Sequence, residues 1–270
     1  MLILLPPSEG KAVGRRGKPM DLQNLSFPEL TEARSEMLDA LIALCSTPDT
    51  STPIQNELIT EQAATTLGLG RTQLDQVALN AALRSAPTLR ADRLYSGVLY
   101  DALDLASLPA DARRRATRWL AITSSLFGLV RLSDALPSYR LSGGTNLPGI
   151  GSVAGHWRHH LGPSIESAVG KGLLVDLRSS TYAAFWRPTP DVAAQTATVR
   201  VLHEVGGQRK IVSHFNKATK GRLVRSLLLD ATVPKTPAEL AEHLGSLGWH
   251  VEVGKPSKNG TTLDVIVAEL

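Results

Sequence analysis

The chain has 270 residues, of which 43% are hydrophobic, 20% charged and 4% aromatic. These values suit a folded globular protein, exclude an intrinsically disordered chain, and predict a core made mostly of aliphatic side chains. The net charge of +4 is too small to identify a nucleic-acid partner by itself. Cys45 is the single cysteine, so an internal disulfide and a cysteine-based metal cluster are excluded.

The sequence also predicts where the protein works. No segment reaches the ~20 consecutive apolar residues that a membrane-spanning helix needs. The apolar residues 1–5 are followed by two prolines, and this stretch is too short for a secretory signal. We therefore expect a cytoplasmic protein with no membrane partner.

Apolar periodicity and turn residues predict strands that alternate with helices early in the chain and pair as hairpins late in it. Predicted strands cover residues 2–5, 119–123, 173–177, 199–205, 210–213, 249–253 and 262–268. Predicted helices cover residues 30–45, two segments within 57–86, then 94–105, 153–169, 217–229 and a last one that starts at Thr236. The pattern predicts one α/β domain over residues 1–270, a mixed sheet flanked by helices, with residues 57–86 as a helical insertion.

Four polar clusters follow the ends of predicted strands, which is where open α/β sheets bind ligands. Their candidate ligand-binding residues are Ser8, Lys11, Ser124, Arg178, Ser180, Tyr182, His214, Asn216, Lys220 and Arg222. An ordinary polar turn would explain one such cluster, but four together predict one composite pocket. The basic side chains favour an anionic ligand over the alternative that they only face water, because Arg178 and Lys11 arrive from other strand ends. The last cluster also opens a helix, whose N-terminal N–H groups favour phosphate or carboxylate.

Three residues of these clusters are candidate catalytic groups: Glu9, Asp176 and Lys217. Either carboxylate can act as a general base or stabilise a developing positive charge. The alternative is that each carboxylate only pairs with Arg178 or Lys11. A lysine of the pocket would act as an amine nucleophile if burial lowers its pKa.

Familiar catalytic and cofactor signatures are absent. Ser8 and Lys11 have the spacing of a serine-acylase motif, but that motif needs a helix and Gly10 argues against one. No phosphate-binding loop or dinucleotide fingerprint occurs, so we expect no cofactor. His156 and His160 share a helix face, but the sequence shows no third ligand, and we predict no metal site.

The same clusters resemble the YaaA family. The residues that carry the resemblance are the opening 1–11, the segment 124–131 with Pro137, Tyr139 and Arg140 after it, and the segments 176–182 and 213–222. The match runs in order from residue 1 to about residue 230. The first loop departs from the enterobacterial form, because Pro-Pro-Ser-Glu-Gly-Lys stands in place of Ser-Pro-Ala-Lys-Thr. This departure leaves the partner of the first lysine open.

The resemblance implies a compact mixed α/β fold, a role in limiting oxidative damage under peroxide stress, and a helix-hairpin-helix within residues 57–86. Its hairpin would be residues 67–70, where the backbone N–H groups of Gly68 and Gly70 would approach a DNA phosphate and Arg71 would add charge. A plain helical hairpin is the alternative.

Two functions of different classes follow. The first is an enzyme that binds a nucleotide or nucleoside in the strand-end pocket and hydrolyses the N-glycosidic bond of a damaged purine. The second is a non-catalytic protein that binds double-stranded DNA and limits its oxidation. A diverged family member that acts in biosynthesis is a third reading, left open by the first loop.

Overall fold

The computed structural model describes residues 1–48, 50, 52–210 and 213–267. The strands are β1 (Leu2–Leu5), β2 (Thr88–Arg90), β3 (Leu120–Ser124), β4 (Gly128–Val130), β5 (Ala135–Pro137), β6 (Asn146–Leu147), β7 (Gly151–Ser152), β8 (Leu174–Asp176), β9 (Thr196–Val205), β10 (Gln208–Lys210), β11 (His250–Ser257) and β12 (Gly260–Val267). The helices are α1 (Thr31–Cys45), α2 (Pro53–Leu67), α3 (Asp75–Ala81), α4 (Ala91–Leu94), α5 (Val98–Leu103), α6 (Ala110–Trp119), α7 (Val153–Val169), α8 (Ser180–Ala183), α9 (Pro190–Ala194), α10 (Ser213–Leu229) and α11 (Pro237–Ser246).

The central sheet has the strand order β11-β12-β9-β8-β1-β3-β4, and β10 pairs with β9. The five strands from β12 to β3 are parallel, whereas β4, β10 and β11 run antiparallel to their neighbours. Parallel strands end at the same edge of a sheet, so the segments that follow β1, β3, β8 and β9 lie along one rim. This confirms the mixed α/β sheet that the sequence predicts.

The centre of the sheet is buried from solvent because its strands are continuous apolar runs. All four residues of β1 are fully buried, as are Leu120, Ala121 and Ile122 of β3. Such runs suit a parallel sheet, whose faces are both covered by helices. Helices α6, α10 and α11 pack on β1, β9 and β12, while α7 packs on β4 and on α1.

Helix α10 approaches α5 unusually closely. A Cβ atom added at Gly221 would overlap the carbonyl oxygen of Leu99 and contact the side chain of Ala102. Only glycine lets the two backbones come this near. The contact holds the first half of α10, with its lysines, beside the strand ends.

Several predicted elements are confirmed and two need correction. The predicted helices at residues 30–45 and 153–169 match α1 and α7, and the last hairpin turns at Asn259 and Gly260 as predicted. The single helix expected over 94–105 is instead interrupted between α4 and α5, because Gly97 has φ +96. The strand predicted over 210–213 is instead β10 (Gln208–Lys210), and Ser213 begins α10, while residues 211–212 lie outside the described residues. Among the described residues, no helix is both long enough and apolar enough to cross a membrane.

Candidate functional site at the strand ends

The polar segments after the parallel strands converge as the sheet topology requires. Leu4 of β1 pairs with Ala121 of β3 on one side and with Asp176 of β8 on the other. The loop after β1 then folds against α4, because the backbone of Ala12 donates to Leu94 and Lys11 forms a β-bridge with Tyr95. The structure thus brings Lys11 to the rim where the strands end.

Lys11 is the most unusual side chain at this rim. Its Nζ donates to the carbonyl oxygen of Ser8 at 3.0 Å and lies 4.1 Å from the ring centre of Tyr139. The side chain is half-buried. Burial lowers the pKa of Lys11 from its ordinary value to about 7, although Glu9 opposes the shift and Arg140 adds to it. A substantial fraction of this amine is therefore uncharged near neutral pH.

Two of the chain's four tyrosines lie against this amine: Nζ is 4.1 Å from the ring centre of Tyr139 and 5.8 Å from that of Tyr95. The hydroxyl of Tyr139 is 2.8 Å from Ser124 Oγ and 3.1 Å from the hydroxyl of Tyr95. Tyr100 stacks on Tyr95 and donates to the carbonyl of Pro6 at 2.7 Å. We call Tyr95, Tyr100, Tyr139 and Tyr182 the tyrosine cluster. Burial raises the pKa of every member, so these hydroxyls stay neutral.

From the sequence, Tyr182 is a candidate site residue, whereas the other three tyrosines are not. Tyr95 and Tyr100 lie in a helical segment without a polar motif, and Tyr139 entered only through the family resemblance. One signal was available: in a chain with 4% aromatic residues, the tyrosines are few enough to be traced one by one. Their convergence depends on loops whose paths the sequence does not reveal.

Glu9 and Arg140 form the outer side of the rim. Arg140 Nη1 lies 2.9 Å from Glu9 Oε2 and also donates to the Glu9 backbone carbonyl at 3.1 Å. Ser8 accepts a hydrogen bond from the Ser96 backbone and donates to the Gly10 carbonyl. These contacts order the short loop that carries Lys11. They also pair the Glu9 carboxylate with the Arg140 guanidinium at the outer side of the rim.

Asp176 sits differently from a catalytic base. Its two oxygens accept hydrogen bonds from Arg178 Nε at 2.9 Å and Nη2 at 2.7 Å. The remaining Arg178 donors go to the carbonyls of Tyr182 and Trp186. Burial would raise the pKa of Asp176, but the charge and hydrogen bonds of Arg178 lower it overall. The pair is closed and buried, the structural alternative that the sequence analysis named.

The candidates on α10 divide into two groups. Lys220 is half-buried and donates to the Leu177 carbonyl at 2.9 Å, and burial lowers its pKa against the opposing charge of Asp176. Asn216 is half-buried, and its Oδ1 has no hydrogen-bond partner among the described residues. Lys217 and Arg222 are exposed. The predicted site residue His214 has its side chain outside the described residues.

Ser124 and Ser180, two further candidates, lie at different depths. Ser124 is fully buried and accepts a hydrogen bond from the backbone of Phe127 at 3.0 Å. Ser180 is exposed at the start of α8. The structure therefore assigns Ser124 to the support of the tyrosine cluster and leaves Ser180 on the surface.

Three successive amides of the glycine hairpin between α2 and α3 already donate within the protein, so they are not free for a phosphate. The backbone N–H of Gly68 donates to Thr65, that of Leu69 donates to Ala64, and that of Gly70 donates to the side chain of Gln73. Residues 57–86 carry two arginines against three carboxylates. Arg71 is exposed. The two predicted helices and their turn are present, and this geometry does not identify them as a helix-hairpin-helix.

A surface cavity of about 620 Å³ lies away from these residues. It is lined by the segment around Arg187 and Pro190 and by the β11–β12 turn at Lys258 and Asn259. The strand-end candidates do not contribute to its walls. The chemistry of Lys11, rather than cavity size, therefore selects the candidate site.

Comparison with known proteins identifies the family. A family model described as "Peroxide stress protein YaaA" matches residues 1–252. A UPF0246 protein of Streptomyces coelicolor is 50% identical over the full length of both chains. A UPF0246 protein of Corynebacterium efficiens is 42% identical over 98% of this chain and 100% of its own. Together with the strand-end motifs, these matches show that the chain belongs to the YaaA family of peroxide stress proteins.

Proposed function

We propose that this protein is an enzyme in which the Lys11 amine is the nucleophile, and that its substrate is a nucleoside or nucleotide carrying an oxidised purine. One observation carries the proposal. Lys11 is held at the carboxyl edge of parallel strands, against the rings of Tyr95 and Tyr139, with a pKa lowered to about 7. Lysines gain nucleophilic power when burial disfavours the ammonium form, and such shifts cluster at active sites.

The reaction that suits this amine is cleavage of an N-glycosidic bond. The Nζ lone pair attacks the anomeric carbon of the sugar while the bond from that carbon to the base nitrogen breaks. The base leaves with a proton. The amine loses a proton as the sugar ring opens, which gives an imine between Nζ and the sugar. Water then adds to the imine carbon and releases the amine, so one water is consumed per turnover.

The surroundings of Lys11 support this sequence of steps. The tyrosine cluster excludes water from one side of Nζ and contributes no negative charge, so it disfavours protonation of the amine. Glu9 lies close enough to influence the charge on Lys11. We assign this carboxylate to proton transfer during base departure and imine hydrolysis. Arg140, paired with Glu9, provides positive charge at the entrance for an anionic substrate.

The role of Asp176 changes accordingly. Its carboxylate is bound by Arg178 on both oxygens, and Arg178 in turn holds the backbone of Tyr182 and Trp186. We infer that the pair positions Tyr182 beside Lys11 and takes no part in proton transfer. The purine substrate is chosen because the family is described by peroxide stress, and oxidised purines are products of peroxide chemistry.

Sodium borohydride trapping tests the proposal directly. The protein is incubated with normal and 8-oxo purine nucleosides and nucleotides, with and without borohydride, and released base is measured by chromatography. We expect an 8-oxo substrate to yield free base, and borohydride to give a covalent adduct that peptide mass mapping places on Lys11. Turnover should rise as the pH increases through about 7, because the amine loses its proton there.

Matched lysine variants locate the chemistry. Lys11→Met should lower turnover about 10³-fold or more and abolish the adduct, since the nucleophile is gone. Lys171→Met, at an exposed lysine after α7, is the control and should behave as wild type. Lys217→Met tests the exposed lysine that the sequence favoured. An adduct on Lys217, or base release that survives Lys11→Met, would overturn the assignment to Lys11.

A further inference from the structure

Two helices away from the strand-end site place three metal-binding side chains together. His156 and His160 lie one turn apart on α7, and Glu36 lies on α1, which packs against α7. One ligand atom from each residue can be chosen so that all three lie within 4.8 Å of one another. The sequence offered only the two histidines, because the third donor comes from a helix more than 100 residues earlier.

The hydrogen bonding of His156 fixes which nitrogen is available. Its Nε2 lies 3.0 Å from the backbone carbonyl oxygen of Ala33. A carbonyl only accepts, so Nε2 carries the hydrogen and Nδ1 keeps a free lone pair. Nδ1 lies 3.9 Å from a carboxylate oxygen of Glu36. Two electron-rich atoms thus face each other, an arrangement that a cation between them would stabilise.

The contact with Ala33 has the form found around metal-bound histidines. In such sites the second ring N–H donates to a carbonyl or carboxylate, which fixes the tautomer and the ring orientation. Ala33 lies on the same helix as Glu36, so the packing of α1 on α7 positions both the ligand and its support.

The cluster is also open to an entering ion. The His156 side chain is only 7% exposed, whereas that of Glu36 is 52% exposed. His160 is exposed as well. Bonds of about 2.0–2.2 Å to zinc require the donor atoms to draw closer together. Rotation of the two exposed side chains can supply this movement while His156 stays fixed.

We propose that Glu36, His156 and His160 form a binding site for a divalent transition ion of the zinc class, with water in the remaining position. Two imidazoles and one carboxylate suit such ions and do not suit magnesium or calcium, which take oxygen ligands. This site is independent of the reaction proposed for Lys11. A solvated histidine pair without an ion is the alternative.

Zinc titration of the full chain tests the site. Protein without a histidine tag is stripped with a chelator and titrated with zinc chloride by calorimetry, and cobalt is added separately to record its visible spectrum. We expect one equivalent of zinc to bind, a cobalt spectrum typical of a four- or five-coordinate site with nitrogen and oxygen ligands, and no competition by excess magnesium.

Single substitutions identify the ligands. Glu36→Gln and His160→Ala should each weaken zinc binding about tenfold or more, and both replace exposed side chains, so the fold should be retained. His159→Ala, at the exposed histidine between the two ligands, is the matched control and should bind as wild type. Absence of stoichiometric zinc binding, or equal affinity in His160→Ala and His159→Ala, would overturn the proposal.

Discussion

The rim around Lys11 and the hairpin from Gly68 to Arg71 both place a basic residue beside a glycine-containing turn, yet they differ physically. At the rim, the lysine is enclosed by aromatic rings and its pKa is lowered to about 7. At the hairpin, the three successive amides already donate within the protein, and Arg71 is exposed. Folding places the first basic group in an environment that disfavours its charge and leaves the second in water. A basic group held where its charge is disfavoured indicates a functional site more reliably than a sequence motif does.

Breaking the buried ion pair at the rim should have the largest effect on stability. Asp176→Ala leaves the Arg178 guanidinium buried without its carboxylate, and such losses cost about 3–5 kcal/mol. Arg71→Ala, at the hairpin, should change the free energy of unfolding by less than about 0.5 kcal/mol. Urea denaturation monitored by circular dichroism measures both values.

The same pair of variants separates a structural from a catalytic Asp176. Suppose that Asp176→Ala unfolds at the same urea concentration as wild type but has lost turnover. The Asp176 carboxylate would then take part in catalysis, and the mechanism proposed for Lys11 would need revision. A large loss of stability supports the positioning role. Asp176→Asn gives a second test, because it keeps the shape and should recover part of the lost stability.

Glycine substitutions test whether the backbone is packed more tightly beside the rim than at the hairpin. Gly221→Ala should destabilise the protein by about 2–3 kcal/mol, because the new methyl group overlaps the Leu99 carbonyl where α10 meets α5. Gly70→Ala should stay within about 0.5 kcal/mol, since its φ is −77° and the nearest atom to a new methyl group is 3.9 Å away. Thermal unfolding measures the stability of both variants. Equal losses of stability would show that the contact between α10 and α5 has room for a methyl group.

The sequence predicts the sheet better than it predicts the site. Continuous apolar runs such as Leu2–Leu5 specify buried parallel strands, and their polar ends necessarily share one edge. This reasoning located Lys11 and Lys220 correctly at the rim. It did not separate them from Lys217, because exposure depends on which helix face packs against the sheet.

The sequence does not reveal which distant residues each side chain contacts. Tyr95 and Tyr139 meet through a hydrogen bond that spans 44 positions, and Glu36 meets His156 across more than 100. Neither contact follows a periodic pattern, so propensity and spacing give no signal for it. Arg178 shows the reverse case: the sequence suggests both ligand binding and ion pairing, and the structure shows that Nε, Nη1 and Nη2 all donate within the protein.

The pH dependence of stability tests the lowered pKa of Lys11. The unfolded chain holds this lysine at its ordinary pKa of about 10.4, whereas the folded value is about 7. Between these values the unfolded state binds more protons, so Lys11 makes the free energy of unfolding rise with pH; below about pH 7 the amine is protonated in both states and adds no slope. Lys11→Met removes this slope. Relative to wild type, the variant should lose about 2.5 kcal/mol of stability between pH 6.5 and pH 9.

Urea denaturation at pH 6.5, 8 and 9 measures this difference, with Lys171→Met as the control. The control lysine is exposed, and its replacement should shift the unfolding free energy by nearly the same amount at each pH. A Lys11→Met profile parallel to wild type would show that the amine keeps its ordinary pKa. That result would remove the main support for a nucleophilic Lys11.

The smallest effect is expected at the hairpin, in binding to duplex DNA. A side chain that contacts one phosphate changes the slope of log affinity against log salt by about one. Because residues 57–86 carry more carboxylates than arginines, Arg71→Ala should leave that slope unchanged, as should Arg113→Ala in the exposed basic run of α6. Fluorescence anisotropy at several salt concentrations measures it. A slope reduced by about one in Arg71→Ala alone would make the hairpin a phosphate contact despite its satisfied amides, because the arginine side chain would then act without them.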